Sequence, residues 1–557
     1  MNYSPNLNIA WSSLLVRTLI KNGIDHYFIS PGYRNAPLVA GLKEAGAKCF
    51  SCVDERSASY MALGCSKASG FPSVFVCTSG TAGANALPAV IEAHKDQIPM
   101  IVLTADRPID LVHSGANQAV DQSLFFQGFC KTYVPMPIPG DTTSPEKLVG
   151  LVESAVSFAV SEPKGVSHIN QPFVSPLEPV ENITISTKEF DQFSVLHDTT
   201  PSVNVQPKSQ DLAALGRLIC EAKRPLLIVG RMNHDVDITS IESFCERFPG
   251  LVYYDVGSQL SFSKSGVLDP ELLAMRASLK AYSPDMVVQL GENLVTKYFS
   301  QYLESATELK SYLIYTLSQG RLDYSFRQAR QYRVNHFRWL DDVTSFKQSD
   351  DVVSFSDFEE KANQIIEAGP LSWPLISRTI LASSERSLFL GNSSAVRAFD
   401  TFAFGRYPQR KVYLNRGVSG IEGLLSTAIG ITAYTQEPLD LVLGDLSMLH
   451  DLNALVVLSQ LDLPIRVIVV NNHSGGIFAK LPIGKFFDQL DPFISTPHQL
   501  DFSDFARAVN VDYKLVSNNS MLKTVFKTSN PRPELIEIHL QTDQDLDILN
   551  KLNSLEL

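Results

Sequence analysis

Short apolar runs that stop at polar or glycine-rich turns, each followed by a stretch with helical spacing, recur along most of this chain. The clearest case runs from Leu441 to Phe478, LVLGDLSMLHDLNALVVLSQLDLPIRVIVVNNHSGGIF. Its first apolar run, Leu441 to Leu443, stops at Gly444-Asp445 and predicts a buried strand that ends in a polar turn. Leu452, Leu455, Val456 and Leu458 then fall on one helical face. A second strand is predicted over Ile465 to Val470, apolar except for Arg466, and it ends at Asn471-Asn472 and a glycine pair. A strand–helix–strand unit of this kind makes its two strands parallel and brings both to the same sheet edge.

The same alternation predicts elements elsewhere. A helical pattern from Ile9 to Lys21 leads to a short strand, Tyr27 to Ile29, and a helix from about Pro37. A strand running into Asp54-Glu55 is followed by a helix with Ala58, Ala62 and Cys65 on its closely packing positions. Ser79-Gly80-Thr81 is read as opening the next helix, and Asp106-Arg107-Pro108 as ending the next strand, with Asn117, Gln118 and Gln122 in a polar loop beyond. Residues 180–210 are polar, lack periodicity and read as a linker. A second α/β stretch is marked by the runs at Arg224 to Gly230, Val287 to Gly291 and Leu313 to Tyr315, with Lys297 just past the second. Gln328 to Ala368 reads as a charged connection, and a third stretch begins near Pro374. Strands alternating with helices mean an α/β chain with mainly parallel, doubly wound sheets. The first and third stretches look like one architecture used twice.

Length changes the picture from one core to several, since 557 residues divide naturally into three domains of roughly 150–200. A net charge of −12 argues against a non-specific partner of nucleic acid or of a membrane surface. No apolar run of about 18 residues marks a membrane span. The start, MNYSPNLNIAWSS, lacks the charged and apolar regions of a signal peptide. Seven cysteines, an odd number, fit reduced thiols in a cytoplasm. Cys49 and Cys52 form a lone CxxC and are read as strand residues.

Candidate chemistry gathers at the strand ends. Asp445 and Asn472, 27 positions apart, would face each other across the crevice where open α/β sheets bind ligands. A carboxylate, an amide oxygen and loop carbonyls form a hard-oxygen set suited to Mg²⁺, and Gly475-Gly476 would let the backbone approach a diphosphate. The plain alternative is that Asp445 caps the following helix and the asparagine pair only turns the chain. Glu55 likewise has two readings: a helix-start charge, or a buried carboxyl with a shifted pKa that exchanges a proton. Arg34 sits on a loop after a strand, where ligand contacts are common but a solvated arginine is equally ordinary.

These segments carry a family likeness. SPGYRNAPL, DERSASYMALG, TSGTAGANALPAVIEA, LTADRP, GANQAVDQ, GNSSAVR, NRGVSGIEGLLSTAIG, GDLSMLHDLNAL and VVNNHSGGIF span almost the whole chain. In this order they resemble the 2-succinyl-5-enolpyruvyl-6-hydroxy-3-cyclohexene-1-carboxylate (SEPHCHC) synthases, thiamine-diphosphate (ThDP) enzymes of menaquinone biosynthesis. The resemblance implies three domains of the ThDP-enzyme type: an N-terminal pyrimidine-binding domain over 1–182, a central domain over 205–345 and a C-terminal diphosphate-binding domain over 368–557. It implies ThDP with Mg²⁺ or Mn²⁺ as cofactors, and a homodimer or homotetramer with active sites between subunits. The implied reaction decarboxylates 2-oxoglutarate and adds the resulting succinyl carbanion equivalent to isochorismate.

By the same resemblance, Glu55 matches the glutamate that bonds the aminopyrimidine ring. Asp445, Asn472 and the carbonyl of Ser474 match the metal ligands. Ser419, Gly420 and Ile421 match the residues against the pyrimidine, and Gly444, Leu446, Ser447, Gly475 and Ile477 the rest of the cofactor cradle. Arg34, Arg107, Lys297, Arg397 and Arg416 match basic substrate positions, which two dicarboxylate substrates require of an acidic protein. Ser393, Asn117 and Gln118 match polar substrate positions, and Ile477, Phe478 and Leu481 an apolar wall. The chain departs from the family at Tyr33, often Ser, and at Tyr298, where a second basic residue can follow the lysine. His473 and Ser474 replace the more usual Asn and Gly. Two other readings stay open: a different ThDP carboligase or 2-oxoacid decarboxylase, and a non-catalytic subunit on the same fold.

Overall fold

A computed structural model of the protein describes every residue except 1, 2, 5, 141–143, 181–184, 187–206, 208, 264–270, 307, 318–321, 323–328, 344–354, 404–406, 487, 488, 490, 528–530 and 557. The chain divides into two compact units. One comprises Met1–Ser202, Asn415–Glu437 and Leu449–Ile465; the other comprises Val203–Leu414, Pro438–Met448 and Arg466–Leu557.

The first unit is built on a six-stranded sheet of β1 (His26–Ile29), β2 (Lys48–Ser51), β3 (Ser73–Cys77), β4 (Met100–Asp106), β5 (Cys130–Pro135) and β6 (Val166–Pro172). The order is β2-β1-β3-β4-β6-β5, and every pairing is parallel. Because side chains alternate across a strand, Tyr27, Val74, Val76 and Leu103 share one face. There they meet Leu14, Leu15, Leu42, Leu148 and Val152 from helices Leu7–Lys21, Ala36–Ala45 and Pro145–Val160. Helix Glu55–Ser69 covers the other face.

That helix packs closely on helix Leu424–Thr435. A Cβ on Gly64 would stand 2.0 Å from the Thr427 carbonyl oxygen, and one on Gly430 would stand 1.9 Å from that of Met61. Hydrogen at both positions lets the two backbones touch. Asp451, fully buried, pins the pair from one end: it accepts from the Ser426 N–H and hydroxyl at 2.6 and 2.8 Å and from the Ser57 hydroxyl at 3.2 Å. Burial pushes its carboxyl up to about 6, against those hydrogen bonds.

The second unit holds two sheets. The central one has five parallel strands, β7 (Pro225–Val229), β8 (Leu251–Tyr254), β9 (Met286–Leu290), β10 (Ser311–Thr316) and β11 (Arg330–Arg333), in the order β8-β7-β9-β10-β11. The other contains β12 (Ser387–Leu390), β13 (Val412–Leu414), β14 (Leu439–Gly444), β15 (Ile465–Asn471), β16 (Asp512–Val516) and β17 (Glu534–His539), in the order β13-β12-β14-β15-β17-β16. Counted along the chain, this is the strand order of the first unit's sheet, so the repeated architecture is present.

Arg466 has a structural task. It is 2 % exposed, and its Nε and Nη2 donate to Asp440 Oδ1 and Oδ2 at 2.9 and 2.8 Å while its guanidinium lies over the Phe526 ring. A charge buried without a partner is costly, so β14 and β15 are pinned at this rung. Asp445 lies five residues beyond Asp440, and Asn471 five beyond Arg466. Both strands therefore reach the sheet edge together.

Four sequence readings need correction. The Gln328 to Ala368 connection contains β11 and helix Ser356–Ala368, whose Phe358, Ala362 and Ile366 are buried at helical spacing. Ser79-Gly80-Thr81 makes a turn; a 3-10 turn at Gly83–Ala86 and helix Leu87–Asp96 follow. The strand expected to reach Asp54-Glu55 ends at Ser51, and Asp54 caps helix Glu55–Ser69 by accepting from the Ser57 N–H at 2.9 Å. The helix expected through Leu452 is two, Asp445–His450 and Ala454–Leu461, with Val456 exposed, because Asp451 is drawn into its buried bonds between them. Most of the linker at 180–210 lies outside the described residues, but Ile185–Ser186 pairs antiparallel with Tyr3–Ser4.

Gly64→Ala is expected to destabilise the protein by roughly 1–3 kcal/mol or more, since the helix pair must separate. Gly150→Ala, on an exposed helical position with open space around it, is expected to add about 0.5–1 kcal/mol. Chemical denaturation measures both, and equal effects of one sign would contradict the packing described.

Candidate active site

In the second unit, Asp445 begins the helix after β14 and is 2 % exposed. Its Oδ1 accepts from the Leu446 N–H at 2.8 Å and its Oδ2 from the Ser474 N–H at 3.0 Å. The Nε2 of His498 lies 3.2 Å from the same Oδ2. Burial pushes the Asp445 carboxyl up, and the Leu446 amide and His498 offset that. The loop after β15 thus touches Asp445 through the amide of Ser474, and no described hydrogen bond joins Asp445 to Asn472.

The asparagine pair divides its work. Asn471 is fully buried and structural: its Nδ2 donates to Glu537 Oε1 at 2.7 Å and to the Leu500 carbonyl at 2.9 Å, and its Oδ1 accepts from the His473 N–H at 2.9 Å. Asn472 is half-buried and donates through Nδ2 to Ser474 Oγ at 2.9 Å and Thr542 Oγ1 at 3.4 Å. Its amide oxygen has no hydrogen-bond donor among the described residues. His473 turns the chain with φ 56°, a conformation histidine and asparagine tolerate better than most residues. A Cβ at Gly475 would stand 2.9 Å from the Phe478 ring, and one at Gly476 would stand 2.6 Å from Asn472 Nδ2. Ile477 and Phe478 follow in a short 3-10 turn, half-buried, with Leu481 exposed beyond it. Leu446 and Ser447 lie on the first turn after Asp445.

Also in this unit, Ser393 has φ 70° at the start of helix Ser394–Phe402, and Arg397 donates through Nη1 to its carbonyl at 2.6 Å. Burial lowers the Arg397 pKa, which Glu271 and Asp400 offset. Lys297 is exposed at the start of helix Tyr298–Ser305, and no described hydrogen bond joins it to Ser393 or Arg397. Tyr298 is buried, with the Arg276 guanidinium 4.4 Å from its ring centre. It therefore fills core and does not extend the lysine's charge.

In the first unit, Glu55 opens its helix half-buried; burial raises its carboxyl, its own amide offsets this and Asp54 adds to it. Arg34 donates through Nη1 to the Phe173 carbonyl at 3.0 Å. Burial and the neighbouring Arg107 charge lower its pKa, while Asp106 opposes them. The Arg107 Nε is buried without a hydrogen-bond partner. Arg34 thus lies near a second guanidinium that keeps an unsatisfied donor. Gln118, φ 58°, donates to the Ser79 carbonyl at 3.0 Å beside Gly80, and Asn117 is exposed. Tyr33 is 65 % exposed and its hydroxyl donates to Glu178 Oε2.

Arg416, Ser419, Gly420 and Ile421 lie on one loop before helix Leu424–Thr435. Ser419 has φ 59°, and at Gly423, φ 67°, a Cβ would stand 2.1 Å from the Tyr60 ring. Glu92 organises this loop: Oε1 accepts from the Gly417 N–H at 2.8 Å and Oε2 from the Val418 N–H at 2.7 Å, with the carboxylate 1 % exposed.

Sequence reasoning missed Glu92 and His498. A glutamate among buried Ala89, Val90 and Ala93 is a signal for the first. His498 lies 53 positions from Asp445 and carries no pattern at all.

The second unit's strand-end residues suit a metal–diphosphate group. A buried carboxylate, an undonated amide oxygen and the Ser474 carbonyl are hard oxygens. That carbonyl accepts from the Gly476 N–H at 2.9 Å and keeps its second lone pair. A Cβ built on Gly444 meets nothing within 4 Å, so the strand end beside Asp445 is open.

Comparison with known proteins agrees. The chain matches the model of the thiamine pyrophosphate enzyme N-terminal TPP binding domain over residues 10–125, the middle domain over 197–374 and the C-terminal TPP binding domain over 393–538. It is 33% identical to the 2-succinyl-5-enolpyruvyl-6-hydroxy-3-cyclohexene-1-carboxylate synthase of Syntrophus aciditrophicus over 100% of both chains. It is 32% identical to that of Chlorobium phaeovibrioides over 98% of each. A solved structure of a putative thiamin diphosphate-dependent enzyme from Mycobacterium smegmatis shares the fold, with TM-score 0.70 at 17% identity over 95% of this chain and 99% of that one. The chain belongs to the thiamine pyrophosphate enzymes and, among them, to the family of 2-succinyl-5-enolpyruvyl-6-hydroxy-3-cyclohexene-1-carboxylate synthases.

Proposed function

We propose that this chain is a transferase that decarboxylates 2-oxoglutarate and adds the succinyl unit to isochorismate, giving SEPHCHC and CO₂ in menaquinone biosynthesis. The observation that carries the reading is the Asp445–Ser474 contact at the ends of two neighbouring strands, in a chain whose full-length relatives bear that enzyme's name. Asp445, Asn472 and the Ser474 carbonyl would hold Mg²⁺ or Mn²⁺, with Gly444, Leu446, Ser447, Gly475 and Ile477 around the diphosphate. Ser419, Gly420 and Ile421 would line the pyrimidine.

Bound ThDP supplies an electron sink for the pair left behind when CO₂ departs. The chain supplies the rest. Glu55, its carboxyl raised by burial, holds and returns a proton at the aminopyrimidine nitrogen. Arg34 and Arg107 offer paired cations for a substrate carboxylate, and Arg397, braced on Ser393, offers a third. Lys297, Arg416, Asn117, Gln118 and Tyr33 are further substrate contacts in this reading, and Phe478 and Leu481, with Ile477, form an apolar wall. The domain limits 1–182, 205–345 and 368–557 belong to it as well, as do a homodimer or tetramer with active sites between copies and a cytoplasmic location. All seven cysteines are free, and no described helix is long and apolar enough to cross a membrane.

With ThDP, Mg²⁺ and 2-oxoglutarate, the purified protein is expected to consume isochorismate and release CO₂. Decarboxylation equally fast without isochorismate would favour another carboligase or a decarboxylase, and no ThDP binding by calorimetry would favour a non-catalytic subunit. Glu55→Gln should retain cofactor and lose roughly 10²–10⁴-fold in turnover; a wild-type rate removes the assignment. Asp445→Ala should weaken Mg²⁺–ThDP binding by more than the roughly 10–100-fold that outer-shell changes cost. Unchanged affinity in a titration would contradict its place as a ligand.

A further inference from the structure

One chemically potent cluster in the second unit is not used by the reaction. His473, Asp501 and His539 each present a ligand atom, and the three atoms lie within 4.8 Å of one another. The fold assembles them in three steps. His539 ends β17 directly opposite Asn471 on β15. Two residues past Asn471, the positive φ of His473 and its N–H bond to Asn471 Oδ1 turn the chain, and its ring centre comes within 5.5 Å of that of His539. Asp501 then brings its Oδ1 to 3.3 Å from His539 Nε2.

The surroundings favour an ion over a mere ion pair. The Nδ1 of His473 is buried with no hydrogen-bond partner, an unmet demand that a metal would answer. Glu537 stands 3.0 Å from His539 Nε2 and is itself fixed, accepting from Asn471, from the Phe502 N–H at 2.9 Å and from the Tyr513 hydroxyl at 2.8 Å. Its Oε1 faces the same Nε2 that faces Asp501, so it flanks the ion's place and does not hold the far side of the ring. His498 is close to His473 but faces another way, with Nε2 3.2 Å from Asp445 Oδ2 and Nδ1 accepting from the Leu500 N–H.

We propose that His473, Asp501 and His539 bind a divalent ion of the zinc class, with water completing the coordination. Two imidazoles and a carboxylate select Zn²⁺, Co²⁺ or Ni²⁺ over the oxygen-seeking Mg²⁺ and Ca²⁺. Tetrahedral zinc with bonds of about 2.1 Å spaces its ligands roughly 3.4 Å apart. The Asp501–His539 pair already has that spacing, so only His473 need move. His473 lies between Asn472 and Ser474, so an ion here would tie down the loop assigned above to the cofactor metal. The site itself does not depend on that assignment.

The test uses the full-length, metal-free protein without ThDP, titrated with Zn²⁺ against a chromophoric chelator and with Co²⁺ followed by its visible absorption. Wild type is expected to bind one ion beyond any held by surface thiols, and His539→Ala and His473→Asn are expected to weaken its binding by more than about tenfold. Zn²⁺ should raise the melting temperature of wild type and not of His539→Ala. The readout is the difference between proteins, which cancels any zinc held by the exposed thiols of Cys49 and Cys220. Asp501→Asn, at an exposed position, serves where a histidine variant fails to fold. Equal binding by wild type and the ligand variants overturns the site. Failure here leaves the proposed reaction standing, since no cofactor is present.

Discussion

At the ends of β14 and β15 a buried carboxylate, Asp445, accepts the amide of Ser474 from the neighbouring strand's loop. A carboxylate this deeply buried must be paired or hydrogen-bonded, and its described donors are the amides of Leu446 and Ser474, just beyond β14 and β15. The register behind it is set by Arg466 and Asp440, a buried ion pair on the same two strands. Losing one partner of such a pair costs about 3–5 kcal/mol, so a one-rung slip that separated them would be prohibitive. The oxygen donors at the edge inherit their alignment from that rung.

The same device recurs. Asp451 gathers the start of helix Leu424–Thr435 and Ser57, Glu92 gathers the amides of Gly417 and Val418, and Glu537 gathers Asn471, Phe502 and Tyr513. Each is a buried acid that takes donors from segments distant in sequence. Loops that must present exposed or half-exposed chemistry are thereby held by groups water cannot reach, where hydrogen bonds are stronger and harder to exchange. The glycines supply the other half. Gly64 and Gly430 let two helices touch, and Gly475 and Gly476 let a loop fold back onto its own side chains.

Much of the fold could be read along the chain because its signals are local. A run of apolar residues ending at Gly444-Asp445 or Asn471-Asn472 marks a buried strand and its end, whatever lies elsewhere. The two six-stranded sheets share one strand order, in keeping with the similar patterns of the first and third stretches. Where the reading failed, a tertiary contact had overridden the local pattern. Asp451 breaks the expected long helix because its carboxylate is needed in the core, and helix Ser356–Ala368 was hidden by charges on its outer face although Phe358, Ala362 and Ile366 kept the period.

From its sequence alone the chain determined its α/β class, its strand ends and the residue types gathered there, because each depends on neighbours within a few positions. Only the folded chain decided that Glu92 would hold the loop of Arg416, that His498 would meet Asp445, and that His473 and His539 would lie against each other across two strands. Those juxtapositions depend on strand order and register, and no residue's own spacing records them. Asparagine was legible as a pair, but which member is buried and bonded and which keeps an amide oxygen without a described donor was set by Asn471 ending β15 and Asn472 lying just past it.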